Sequence, residues 1–89
     1  MISRLHPWFR RDFAKLPRSI QERARAAYRR FQADSSHPGL QFKQLHASSQ
    51  LWSVRVTESY RAVGARDGDN IVWFFTGTHG EYDRLLSNL

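Results

Sequence analysis

Apolar residues return along the first third of the chain at helical spacing. Phe9, Phe13 and Leu16 fall on one face while Arg10, Arg11, Asp12 and Lys15 fall on the other, which predicts a helix that opens at Pro7 and stops at Pro17. A second helix is expected from Ser19-Ile20-Gln21-Glu22, a capping box in which the Ser hydroxyl and the Glu carboxylate satisfy two backbone donors reciprocally. Its apolar face is Ile20, Ala24, Ala27, Tyr28 and Phe31, and Arg23, Arg25, Arg29 and Arg30 take the remainder. The pair reads as a helical hairpin with a basic outside and with small interior residues, Ala24 and Ala27, that let it lie close against a sheet.

The period then changes from helical to alternating. Asp34 to Gly39 is a loop by composition, Leu40 to Leu45 is a candidate strand, and Leu51 to Thr57 is a strand in which Trp52, Val54 and Val56 alternate with Ser53, Arg55 and Thr57. Tyr60 to Arg66 follows, and the Asp67-Gly68 hairpin signal leads into Ile71 to Thr76, whose unbroken apolar character places it inside the sheet. Thr78-His79-Gly80-Glu81 is a second capping box and opens a short terminal helix, with Leu85, Leu86 and Leu89 as its packing side. The class is α+β: an N-terminal αα hairpin packed on a small antiparallel meander of three to four strands, closed by a short C-terminal helix. One domain, residues 1–89, accounts for the whole chain.

Composition narrows the functional classes. The 89 residues include 6 Phe, 3 Trp and 3 Tyr for the core and no cysteine, so neither a disulfide framework nor a thiolate metal site is available. The longest apolar run has five residues, and the chain begins with polar and charged residues, so a soluble cytoplasmic protein with no membrane segment is expected. His6, His37, His46 and His79 lack partners at metal-ligand spacing, so no metal or other cofactor is expected. Charge is segregated: residues 1–34 carry nine Lys/Arg against three Asp/Glu, whereas residues 35–89 carry five of each. A basic stripe of that kind attracts polyanions such as nucleic acid.

His79 stands out by position. At the first turn of the last helix, unsatisfied backbone N–H groups and the positive end of the helix dipole converge, which suits an anion such as a phosphate. An imidazole there is able to exchange protons near neutrality.

In arrangement and in several strings the chain resembles the RelE/ParE superfamily of bacterial type II toxin–antitoxin toxins. The strings are HPGLQFKQL, LWSVRVTESYRAVGARDGD and IVWFFTGTHGEYDRLL, in the order and spacing of a W-x-V-R-V strand, a Y-R strand and a strand that ends before an H-x-x-Y turn. With the αα hairpin, the likeness covers nearly the whole chain. It implies a further strand from Met1 to Leu5 and a toxin restrained by a cognate antitoxin. RelE-like members are ribosome-dependent mRNA endoribonucleases, whereas ParE-like members inhibit DNA gyrase. A non-catalytic binding module of the same fold is the third alternative.

Cleavage of the RelE type needs a proton acceptor for the ribose 2′-OH, a donor for the departing 5′-oxygen and cations around phosphorus. The resemblance assigns these roles to His79 for proton transfer and to Arg61 for the phosphate. Arg55, on the polar side of the preceding strand, is the second clamp, and Tyr82 is placed to stack on a base or orient a phosphate. Arg23, Arg25, Arg29, Arg30 and Lys43 are the expected contacts to ribosomal RNA. The region before Leu40 holds no carboxylate, so Glu58 and His46 are the substitutes for a general base.

Overall fold

The protein is described by a computed structural model that covers residues 1–45 and 50–88. Its elements are β1 (Ile2–Leu5), α1 (Pro7–Ala14), α2 (Arg18–Ala33), β2 (Lys43–Gln44), β3 (Leu51–Thr57), β4 (Tyr60–Asp67), β5 (Asn70–Thr78) and α3 (His79–Ser87). The strands form one sheet of five in the order β1-β5-β4-β3-β2. Neighbours are antiparallel except β1, which runs parallel to β5, so the sheet is mixed and one strand larger than the expected meander.

The helical hairpin covers one face of the sheet. Phe31 of α2 packs with Val54 of β3, Ala62 of β4 and Ile71 and Trp73 of β5, and Phe9, Ala27 and Tyr28 close round them. Trp73 crosses β4 at Gly64, where an added Cβ would lie 2.9 Å from both Ile71 and Trp73. A polar chain ties β1 beneath the same layer: Trp73 Nε1 donates to Ser3 Oγ at 2.9 Å, and that hydroxyl bonds the Tyr28 phenol at 2.9 Å. The ladder between β4 and β5 shifts register at Val63/Gly64, so five consecutive apolar residues in β5 do not alternate strictly between faces.

Local chemistry accounts for the helix starts. His6 accepts the Trp8 N–H at the start of α1, ahead of Pro7 at the first helical position. The box expected at Ser19 is not what opens α2. Pro17 takes the cap position and its carbonyl accepts from Ile20 and Gln21, so Ser19 is already inside the helix and caps nothing. The box at Thr78 does form: Thr78 Oγ1 accepts the Glu81 N–H at 3.2 Å and the Thr78 N–H donates to Glu81 Oε1 at 2.9 Å.

The strand expected from Leu40 to Leu45 is reduced to Lys43–Gln44. Pro38–Leu40 makes a single 3-10 turn capped by His37, and Gln41 adopts φ +46°, a left-handed conformation that ends extended pairing. Leu40 is consequently buried in the core and not part of the ladder. His46 and Leu89 lie outside the described residues. Among the described residues no helix is long and apolar enough to cross a membrane.

Candidate functional site

Side chains alternate across β3 and β4, so the residues between Val54, Ala62 and their core neighbours point away from the helical hairpin. Arg55 and Arg61 are two of them, and they are register partners directly opposite each other on adjacent strands. Like charges so placed repel. Among the described residues neither has an ion-pair partner. Lys43 pairs with Ser53, two residues from Arg55, and therefore shares this face.

The turn that joins β3 to β4, residues 57–60, is gripped from two sides. Arg61 Nη1 donates to the carbonyls of Thr57 (2.6 Å), Glu58 (3.1 Å) and Tyr60 (3.1 Å). From the other side the His79 N–H donates to the Ser59 carbonyl at 2.8 Å. The arginine head group and the start of α3 are thus held at one short turn, which also carries the exposed carboxylate of Glu58.

His79 is ordered by its own helix. Its Nδ1 lies 3.2 Å from Asp83 Oδ2 one turn on, and its ring meets Tyr82 edge-on at 5.7 Å between centroids. The imidazole is 51% exposed whereas Tyr82 is only 7% exposed, so the tyrosine supports the histidine from beneath. Gly77 precedes the box, and a Cβ there would come within 2.9 Å of Glu81 Oε1. The Thr78 backbone N–H is the largest influence on the Glu81 carboxyl and holds it below its ordinary range, against the opposing effect of burial.

Of the residues singled out in the sequence, Arg55, Arg61, His79 and Lys43 are brought to one side of the sheet or its adjoining turn. Arg23, Arg25, Arg29 and Arg30 belong to α2, in the layer on the opposite face. Arg25 lies over the Phe13 ring, 5.0 Å from its centre. The sequence reading missed Asp83, whose four-residue spacing from His79 on a helix was the available signal. It also missed the brace that Arg61 forms on the turn, which no local pattern announces. Among the described residues no three metal-ligating side chains come together.

The ParE-like toxin domain profile matches residues 18–84, and the chain belongs to that family. Solved structures share its fold. A chain of the RelB–RelE antitoxin–toxin complex from Methanococcus jannaschii superposes with a TM-score of 0.73 at 19% identity, over 91% of this chain and 96% of that one. The YoeB/ParE toxin from Agrobacterium tumefaciens gives 0.66 at 15% identity, over 89% and 99%. The RelBE2 toxin–antitoxin complex from Mycobacterium tuberculosis gives 0.61 at 24%, over 88% and 90%. No curated protein matches the sequence.

Proposed function

We propose that this chain is the toxin of a type II toxin–antitoxin system, restrained by a cognate antitoxin, and that it stops translation by cutting mRNA in the ribosome. Family membership and the antitoxin complexes among its structural relatives support the first part. The observation that carries the second is the Arg55–Arg61 pair, two arginines directly opposite each other on adjacent strands, with no ion-pair partner among the described residues, beside the turn to which His79 is bonded. Such a pair is stabilised by an anion, and a bridging phosphate fits its fork geometry.

The chemistry follows from those positions. Glu58 takes the proton of the ribose 2′-OH, whose oxygen attacks the adjacent phosphorus. As the P–O5′ bond breaks, protonated His79 gives its proton to the departing 5′-oxygen, leaving a 2′,3′-cyclic phosphate and a 5′-hydroxyl. Asp83 fixes the imidazole through Nδ1, so Nε2 is the nitrogen that exchanges protons. Arg55, with Arg61 through Nε and Nη2, offsets the charge that builds on phosphorus. Tyr82 positions the ring, and the α2 arginines with Lys43 hold ribosomal RNA.

One observation favours a ParE-like gyrase inhibitor instead: Arg61 Nη1 is already committed to three backbone carbonyls, a structural duty that needs no substrate. The test separates the readings. The chain is induced alone, and transcript ends and plasmid supercoiling are mapped for the wild type, His79→Ala and Arg55→Ala. New mRNA ends that vanish in both variants are expected. Altered supercoiling with intact transcripts would give the gyrase reading, and harmless expression would leave a non-catalytic module.

A further inference from the structure

Arg66 of β4 has no ion-pair partner among the described residues, and it is built into a stack of rings. Its guanidinium carbon lies 4.6 Å from the centre of the Trp52 ring and 5.7 Å from that of Phe42, and those two rings lie 4.6 Å apart. Phe42 in turn meets Phe31 of α2 edge-on at 5.0 Å, which anchors the stack on the hairpin side of the sheet. Arg66 Nε donates to the Gly68 carbonyl at 3.0 Å and the Arg66 backbone N–H donates to the Gln50 carbonyl at 2.8 Å, so head group and main chain are both tied.

Beside this stack opens a cleft of about 500 Å³, lined by Gln44, Gln50, Trp52, Arg66, Asp67 and Gly68. It offers a flat cation backed by aromatic rings, one carboxylate and side-chain amides. It lies at the end of the sheet away from His79: Arg66 pairs with Ile71 near the start of β5, whereas His79 follows that strand's last residue. The chemistry selects the occupant. A phosphate or a peptide carboxylate would meet the Asp67 carboxylate in the same cleft, and a simple cation would meet Arg66. A neutral planar ring with N–H groups on one edge suits both charges, because it stacks on a guanidinium plane and gives its protons to a carboxylate. Guanine alone among the RNA bases carries two adjacent N–H donors, N1–H and N2–H, on its Watson–Crick edge.

We propose that this cleft binds an unpaired guanine of RNA. Arg66, backed by Trp52, stacks on the base, Asp67 accepts from N1–H and N2–H, and the Gln50 amide donates to O6. The α2 arginines are on the same side of the sheet and Arg55 and Arg61 on the other, so ribosomal RNA, and not the message being cut, supplies the base. That last assignment rests on the toxin reading above.

Fluorescence anisotropy with labelled octaribonucleotides tests the proposal. UUUUGUUU should bind about tenfold tighter than UUUUAUUU or UUUUUUUU. Asp67→Asn, a change at an exposed residue that keeps a turn-forming side chain, should abolish that preference and leave the affinity for UUUUUUUU unchanged. Arg66→Lys keeps the charge without the plane and should abolish it too. The Arg66 Nε–H resonance of the wild type should shift when UUUUGUUU is added and stay in place with UUUUUUUU. Free GMP should bind far more weakly than UUUUGUUU; equal binding would make the cleft a mononucleotide site and overturn the RNA assignment. In cells, Asp67→Asn should weaken co-sedimentation with ribosomes several-fold and leave the sequence at transcript ends as it is, and altered ends would move the base to the message and overturn the ribosomal assignment. No guanine preference, or a preference that survives Asp67→Asn, would overturn the proposal outright. Harmless expression of a chain that still prefers guanine would sink the toxin reading alone, and new mRNA ends without a guanine preference would sink this one alone.

Discussion

Arg61 carries two duties that can be separated. Its Nη1 joins the carbonyls of Thr57, Glu58 and Tyr60, so Arg61→Ala should lower stability by about 1–3 kcal/mol through carbonyls left without a donor. Among the described residues Arg55 has no such brace, and it faces a like charge, so Arg55→Ala should stay within about 0.5 kcal/mol of the wild type. Chemical denaturation checks both. On the proposed function, mRNA cleavage should fall in each variant, and a loss confined to Arg61→Ala would mark the pair as structural. Gly64 is the other residue whose identity is set by a neighbour. Adding a methyl group beneath Trp73 and Ile71 should cost about 1–3 kcal/mol in Gly64→Ala, read by the denaturation midpoint. Neither effect is legible in the sequence, because a turn brace and a strand crossing both depend on residues distant along the chain or bent back in space.

The start of α3 is the element on which the candidate site depends. Thr78→Ala removes the acceptor for the Glu81 N–H and should cost about 1 kcal/mol, visible as a lower melting temperature. The Glu81 carboxyl is held below its ordinary range in the folded chain, chiefly by the Thr78 N–H. A depressed carboxylate stabilises the fold above its unfolded value, and that contribution disappears as pH falls through the folded one. The melting difference between wild type and Glu81→Gln should therefore be present at pH 7 and absent at strongly acidic pH. This box was legible because every partner lies within four residues. The box expected at Ser19 has the same local pattern, yet Pro17 starts the helix two residues earlier, and Gln21 Nε2 instead bonds the Phe13 carbonyl at the end of α1. A motif predicts a cap only where the chain before it leaves the cap position open.

Across the whole molecule, the α2 arginines and the candidate site occupy different layers. The arginines of α2 lie on the hairpin side and Arg55, Arg61 and His79 on the other side or at the rim, so docking and cleavage should respond to different variants. Replacing Arg23 and Arg29 together should weaken co-sedimentation with ribosomes and flatten its dependence on KCl, the log–log slope falling by about 0.9 for each duplex phosphate no longer neutralised. Transcript cleavage by the toxin that still binds should persist. The sequence by itself determined the helical hairpin, the β3, β4 and β5 strands, the Thr78 cap and the segregation of charge. Each follows from periodicity or from partners a few residues apart. Tertiary structure alone decided that β1 joins β5 in parallel as an open edge, that Leu40 leaves the ladder for the core, and that Arg61 and His79 hold one turn. Those pairings join residues as many as 70 positions apart or require the backbone to bend back on itself, and local pattern holds no information about which distant partner wins.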